Sequence, residues 1–109
     1  MDNSTNLARF FKALGDDTRL RLVALLAKQE PGTAMCVSRL ARELETTVPN
    51  VSQHLRILKD LDLVYAERRR YRLHYYLNDE RFMECFGAMA EVLSNRFLIE
   101  QGTYGREGA

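Results

Sequence analysis

Tryptophan is absent from this chain, and cysteine, histidine and proline occur only twice each. Cys36 and Cys85 stand far apart, which excludes a disulfide framework and a C-x-x-C zinc pattern. A reducing, cytoplasmic setting is the expectation for such cysteine usage. With only His54 and His74, no paired-histidine metal motif can be written. A glycine-rich phosphate loop and a nucleophile elbow are missing as well, so the chain is not expected to be an enzyme. No apolar run approaches the ~20 residues of a membrane span, and no membrane partner is expected. Met1 to Asn6 lack the basic start and apolar run of a secretory signal. Asn3-Ser4-Thr5 matches a glycosylation acceptor, which without export is a chance match.

What is present fits one domain. The 109 residues suffice for a single compact core and not for two. We expect that domain to occupy residues 1–98, with residues 99–109 as a disordered tail, because Gln101 to Ala109 holds three glycines and only Tyr104 for bulk. The net charge of +1 says little, but its distribution is uneven. Between Thr47 and Leu77 lie six basic side chains (Arg56, Lys59, Arg68, Arg69, Arg70, Arg72) and three acids. Positive charge gathered in one segment suits a surface that meets phosphates.

The segment Thr47 to Lys59 reads as a short amphipathic helix. Thr47 can cap it by accepting the N–H of Asn50, and Pro49 is tolerated in a first turn whose N–H groups lack helical partners. Val48, Val51, Leu55 and Leu58 recur at helical spacing as an apolar stripe. Pro49, Asn50, Gln53 and Arg56 fall on the opposite side. Asn and Gln can bond adenine in pairs and Arg can bond guanine, which is what a helix in the major groove needs. The plain alternative is the solvated face of an ordinary core helix.

Upstream, Leu7, Phe10, Phe11 and Leu14 give a first helical stripe, with Gly15 placed to end it in a left-handed turn. Asp16 or Asp17 then caps a second helix, expected to be the central core helix because it is apolar over much of its circumference. Pro31-Gly32 breaks the pattern. After an extended piece near Ala34-Met35-Cys36, a third helix buries Val37, Leu40, Ala41 and Leu44. Glu45-Thr46 is a tight connection to the helix at Thr47, which makes a helix-turn-helix. Asp62 can close that helix in the left-handed conformation. Val64–Arg68 and Arg72–Leu77 read as two strands, with Leu73, Tyr75 and Leu77 on the core face and His74 turned away as a solvated residue. The tip lacks Gly, Asn or Asp, which disfavours a two-residue primed turn and predicts a longer or a strained loop. Asn78 or Asp79 caps a last helix striped by Phe82, Cys85, Phe86, Met89, Leu93 and Phe97. That stripe exceeds what one small core can cover, so we read it as a dimer face. The fold expected is mainly α with a small β-hairpin, a winged helix-turn-helix of about five helices, dimeric through its first and last helices.

Val51-Ser52-Gln53-His54-Leu55, then Leu58 and Asp62-Leu63-Val64, resembles the ArsR/SmtB family of bacterial winged-helix repressors, whose members typically show Val-Ser-x-His-Leu, Gly-Leu-Val, an arginine-rich wing and a Tyr-x-Leu strand. Phe11 to Leu20 resembles that family's approach to its second helix, and Met35-Cys36-Val37-Ser38-Arg39-Leu40 its metal box. The resemblance covers about residues 7–97. It implies a homodimer on double-stranded operator DNA, released when an inducer binds. The residues expected to meet DNA are Thr47, Pro49, Asn50, Ser52, Gln53, His54 and Arg56 on the helix, with Arg68, Arg69, Arg70 and Arg72 on the wing.

The departures concern the inducer. The second box cysteine is Ser38 here, and a hydroxyl is a poor ligand for soft metal ions. The last helix lacks the Asp-x-His and His-x-x-Glu ligands of the family's zinc sensors, so none of the family's common metal sites is intact. Sensing is assigned to Cys36, with Cys85 as a candidate partner, by thiolate-bound arsenite, another soft metal ion, or oxidation. No cofactor is otherwise expected. The competing function is a winged helix used only for protein–protein contact, against which the arginines at the wing tip speak.

Overall fold

The computed structural model describes the backbone of residues 3–30 and 34–100, and the side chains of residues 6–30 and 34–94. Five helices and three short strands follow in order: α1 Asn3–Leu14, α2 Asp17–Ala27, β1 Met35–Cys36, α3 Val37–Glu43, α4 Val48–Asp60, β2 Val64–Arg69, β3 Arg72–Leu77 and α5 Asp79–Glu100. The extended piece before α3 is a true strand. It pairs antiparallel with β3, Met35 opposite Tyr75 and Cys36 opposite His74, so the hairpin becomes a three-stranded sheet in the order β1-β3-β2. The expected tail at Gln101 to Ala109 lies outside the described residues.

Sequence chemistry explains the helix ends. Asp16 caps α2: it is extended at φ −96° and ψ 129°, and its carboxylate accepts the Arg19 N–H at 3.0 Å. That bond holds the Asp16 carboxyl below the ordinary carboxylate range, with the Arg19 charge adding to it. Gly15 does not take the left-handed turn. Its N–H still bonds the carbonyls of Phe11 and Lys12, as a further residue of helix would, and the chain leaves through Asp16 instead.

Two non-glycine residues do turn left-handed at helix ends, Glu45 at φ 54° and Asp62 at φ 61°. Each closes a Schellman motif. After α3, Thr46 N–H reaches back to Ala41 and Glu45 N–H to Arg42. After α4, Leu63 N–H reaches Leu58 and Asp62 N–H reaches Lys59. Leu58 and Leu63 are both buried, so this second motif carries the hydrophobic contact that usually accompanies it.

The core gathers Leu7 and Phe10 of α1, Leu22 and Leu26 of α2, Leu40 and Ala41 of α3, Val51, Leu55 and Leu58 of α4, and Phe82 and Cys85 of α5. Its best-buried helix is α4 rather than α2, which leaves Leu20 exposed. Truncating Leu55 to alanine in such a core costs about 2–5 kcal/mol. Val48 departs from the expected stripe: it is 39% exposed, because it stands in the first turn before α4 reaches the core. On β3, Tyr75 and Leu77 pack on the core as expected, and Leu73 is exposed. Tyr76 points to the other face and is nevertheless buried, beneath a stack with Tyr65 at 4.9 Å.

Asn78 and Arg81 fasten α5 to the end of α4. Asn78 caps α5 by accepting the Arg81 N–H, while its own amide donates to the Asp62 carbonyl at 2.8 Å. Arg81 Nε donates to the Leu61 carbonyl at 3.2 Å. The turn that closes α4 is thereby tied to the helix that follows the wing.

Candidate nucleic-acid interface

The α3–turn–α4 unit presents α4 with its apolar side against the core and its far side open. Thr47 is the cap, its Oγ1 accepting the Asn50 N–H at 3.2 Å. Pro49, Gln53 and Arg56 are exposed together with Thr47, so four of the expected contact residues share one accessible surface. Asn50 is half-buried, and its side-chain amide donates to Thr46 Oγ1 at 3.1 Å. One of its donors is therefore already used in fixing the first turn. Ser52 is half-buried on the flank of the helix.

His54 faces back toward α2. Its Nδ1 lies 3.1 Å from Arg19 Nη1 and 3.8 Å from Asp16 Oδ1. A guanidinium has donors only, so Nδ1 accepts and the neutral ring carries its proton on Nε2. No rule of sequence periodicity points to a partner 35 residues away.

The wing is the β2–β3 hairpin. Arg69 pairs with Arg72, leaving the two-residue loop Arg70-Tyr71. The two-residue turn that the sequence disfavoured is the one that forms, with Arg70 at φ 59° and no glycine to make it easy. Tyr71 projects at the tip, 94% exposed, and Arg68, Arg70 and Arg72 are exposed around it. Arg69 is engaged within the wing. It pairs with Glu67 at 2.9 Å and donates to the Tyr76 hydroxyl, which itself donates to Glu67 at 3.0 Å. Arg69, and after it Tyr76, hold the Glu67 carboxyl below its ordinary range.

These features meet comparisons with known proteins at every level. Residues 16–66 match the model of the arsR family of bacterial regulatory proteins. An HTH-type transcriptional regulator of Methanocaldococcus jannaschii is 36% identical over 92 residues, which are 84% of this chain and all of that one. This chain belongs to the arsR family. A protein of Synechocystis named as a transcriptional repressor SmtB homolog is 37% identical over 93 residues, 85% of this chain and 67% of its own. A Mycobacterium bovis domain, described as a homodimeric winged helix-turn-helix DNA-binding domain of a possible ArsR-family regulator, superimposes with a TM-score of 0.64 at 26% identity, covering 89% of this chain and 84% of that domain. The arsR-family chain is a DNA-binding transcriptional regulator, and a module for protein contact alone is not the favoured reading.

The two cysteines occupy different surroundings, and both are free thiols. Cys36 is half-buried at the sheet edge, just before α3. The Arg39 backbone N–H holds its thiol below the ordinary value, against a desolvation that opposes it, and Arg72 assists. Cys85 is buried between α1 and α5, beside a cavity of about 450 Å³ that Leu7, Arg81 and Glu84 also line, and burial pushes its thiol up. The two cysteines stand on separate elements, Cys36 on β1 and Cys85 on α5. His74, read from sequence as solvated, is half-buried opposite Cys36, and its Nδ1 is buried without a hydrogen bond among the described residues. The central strand of a three-stranded sheet covers both its flanks, which a hairpin alone would not. No cluster of three metal-ligating side chains occurs among the described residues.

Proposed function

We propose that the protein is a dimeric repressor that reads operator DNA with α4, holds phosphates with its wing and is released by an inducer felt at Cys36. The observation that carries the DNA part is the shared exposure of Gln53 and Arg56 on α4 beside a wing bearing exposed Arg68, Arg70 and Arg72. Gln53, Arg56 and Asn50 supply base-edge chemistry, whereas the wing arginines supply charge without sequence information. The exposed Phe11, Phe86 and Leu93 on α1 and α5 support a second copy as the partner of that face. Such a dimer places two recognition helices about 34–36 Å apart, or a multiple, on an imperfect palindrome. No helix of the described residues is long and apolar enough to cross a membrane, and a cytoplasmic site of action accords with free thiols.

The inducer proposal rests on the lowered Cys36 thiol at the start of the helix-turn-helix. Arsenite or another thiophilic ion, or an oxidant, is the class of signal a reactive thiolate takes. Cys85, buried and with its thiol raised, is the less reactive candidate partner, within the subunit or across the dimer.

Gel shifts over a range of salt test the assignment. Gln53→Ala is expected to relax preference at particular base pairs by roughly 1–3 kcal/mol. Arg70→Ala is expected to weaken all sequences alike and lower the salt slope by about one. Equal, sequence-independent losses from both would refute the division of roles. Arsenite or mild oxidant is expected to release the parent from DNA and to leave Cys36→Ser bound.

A further inference from the structure

The Arg19 side chain bonds two separate helices, while its backbone N–H is held by the cap of its own. Its Nε donates to the Ala13 carbonyl at the end of α1, at 2.8 Å. Its backbone N–H is held by the Asp16 carboxylate at 3.0 Å. Its Nη1 donates across 3.1 Å to His54 on α4. Both ends of this chain of bonds are partly buried, where a charge-assisted bond is stronger than in open water. Ala13 belongs to α1, a helix of the face read as the dimer interface, and His54 to the helix read as entering the groove.

We infer that Arg19 is a positioning residue for DNA recognition: by joining the Ala13 carbonyl to His54 Nδ1 it fixes where α4 stands relative to α1. This role rests on the reading of α4 as the recognition helix. The planar fork matters, because one guanidinium presents Nε and Nη1 in a fixed relation to two acceptors on different helices. Lysine has a single ammonium and cannot reproduce that relation. His54 serves as acceptor, and Asn places an oxygen near the position of imidazole Nδ1. A helix freed from this bond keeps its apolar packing on the core through Val51, Leu55 and Leu58, so α4 stays folded while its placement loosens.

The test uses the full chain, a duplex selected by the parent from a random pool, and a scrambled duplex of the same composition. Arg19→Met, Arg19→Lys and His54→Leu are each expected to lower the selected-over-scrambled affinity ratio by about tenfold, the worth of one charge-assisted bond. The double variant Arg19→Met/His54→Leu should lose no more than either single one, since both remove the same bond. His54→Asn should restore most of the ratio, which a general loss of packing would not allow. Full selectivity in Arg19→Met, additive losses in the double variant, or an Asn variant as impaired as the Leu variant would each overturn the role. Backbone amide spectra of the free protein give a second, DNA-independent reading. Arg19→Met should shift resonances at Gly15 and along Asn50–Leu58, and silence there also overturns it. A parent that selects no duplex, with those shifts present, refutes the recognition reading and the role built on it, while the bond itself stands.

Discussion

The Arg69 guanidinium lies over the Tyr76 ring, 5.7 Å from its centroid, and donates to the same tyrosine's hydroxyl. Tyr65 stacks on Tyr76 from β2, and Glu67 accepts from both Arg69 and Tyr76. The wing therefore carries one arginine whose charge is largely answered within the hairpin, beside three that are not. Removing the Glu67 charge should release Arg69 toward DNA. Glu67→Gln is expected to strengthen binding to all duplexes at low salt and to steepen the salt slope, by about one at most. Arg69→Ala is expected to change that slope less than Arg70→Ala does. Anisotropy titrations at several salt concentrations check both, and a weaker-binding Glu67→Gln protein would contradict the arrangement.

Arg70 stands at φ 59° in a two-residue turn, a backbone region that costs a residue with a side chain about 1–2 kcal/mol. Arg70→Gly should recover about 1 kcal/mol of that cost and raise the urea midpoint. The same substitution removes an exposed cation and should weaken DNA binding. A variant that binds less tightly yet resists urea better is the expected signature. Loss of both would place Arg70 in an internal contact instead.

How much of this was legible beforehand follows from the range of each interaction. The Thr47 cap, the left-handed Asp62 and the packing of Val51, Leu55 and Leu58 are local, set within a few residues, and the sequence pattern carries them. The left-handed Glu45 escaped because glutamate carries no turn preference; only the Schellman bonds to Ala41 and Arg42 hold it there. The β1–β3 pairing, the Arg19–His54 bond and the burial of Tyr76 join residues that only the fold brings together. Hence His74, read as solvated, is half-buried on the face away from the core, and the pairing of Arg69 with Glu67 left no mark in the sequence pattern.

The two thiols should differ in reactivity. Cys36 is held below the ordinary thiol range, first by the Arg39 N–H and further by Arg72, whereas burial raises Cys85. Alkylation proceeds through the thiolate, so its rate rises with pH as each thiol ionises. The Cys36 profile should therefore rise at lower pH than that of a free cysteine, and the Cys85 profile at higher pH. Arg72→Ala should move the Cys36 profile upward and leave Cys85 where it is. Mass-resolved iodoacetamide kinetics across the pH range decide this; equal rates at the two sites near neutrality would contradict the assigned surroundings.

The face formed by α1 and α5 carries the largest exposed apolar side chains outside the wing. Phe86 is 52% exposed and Leu93 53%, with Phe11 at 45% on α1. Phe86 also meets Phe10 edge-on at 5.9 Å, which fixes the ring with one side in the core and one toward the outside. Covering these groups with a second copy removes apolar area from water at roughly 25 cal/mol per Å². Placing a charge there should reverse the gain. Leu93→Glu, farther along α5 than the core contacts of Phe82, is expected to yield a folded monomer in sedimentation at micromolar concentration, where the parent is a dimer. A monomer holds one recognition helix, so its affinity for a two-half-site duplex should fall to that for a single half-site. A Leu93→Glu protein that stays dimeric and binds both half-sites as before would move the interface elsewhere on the molecule.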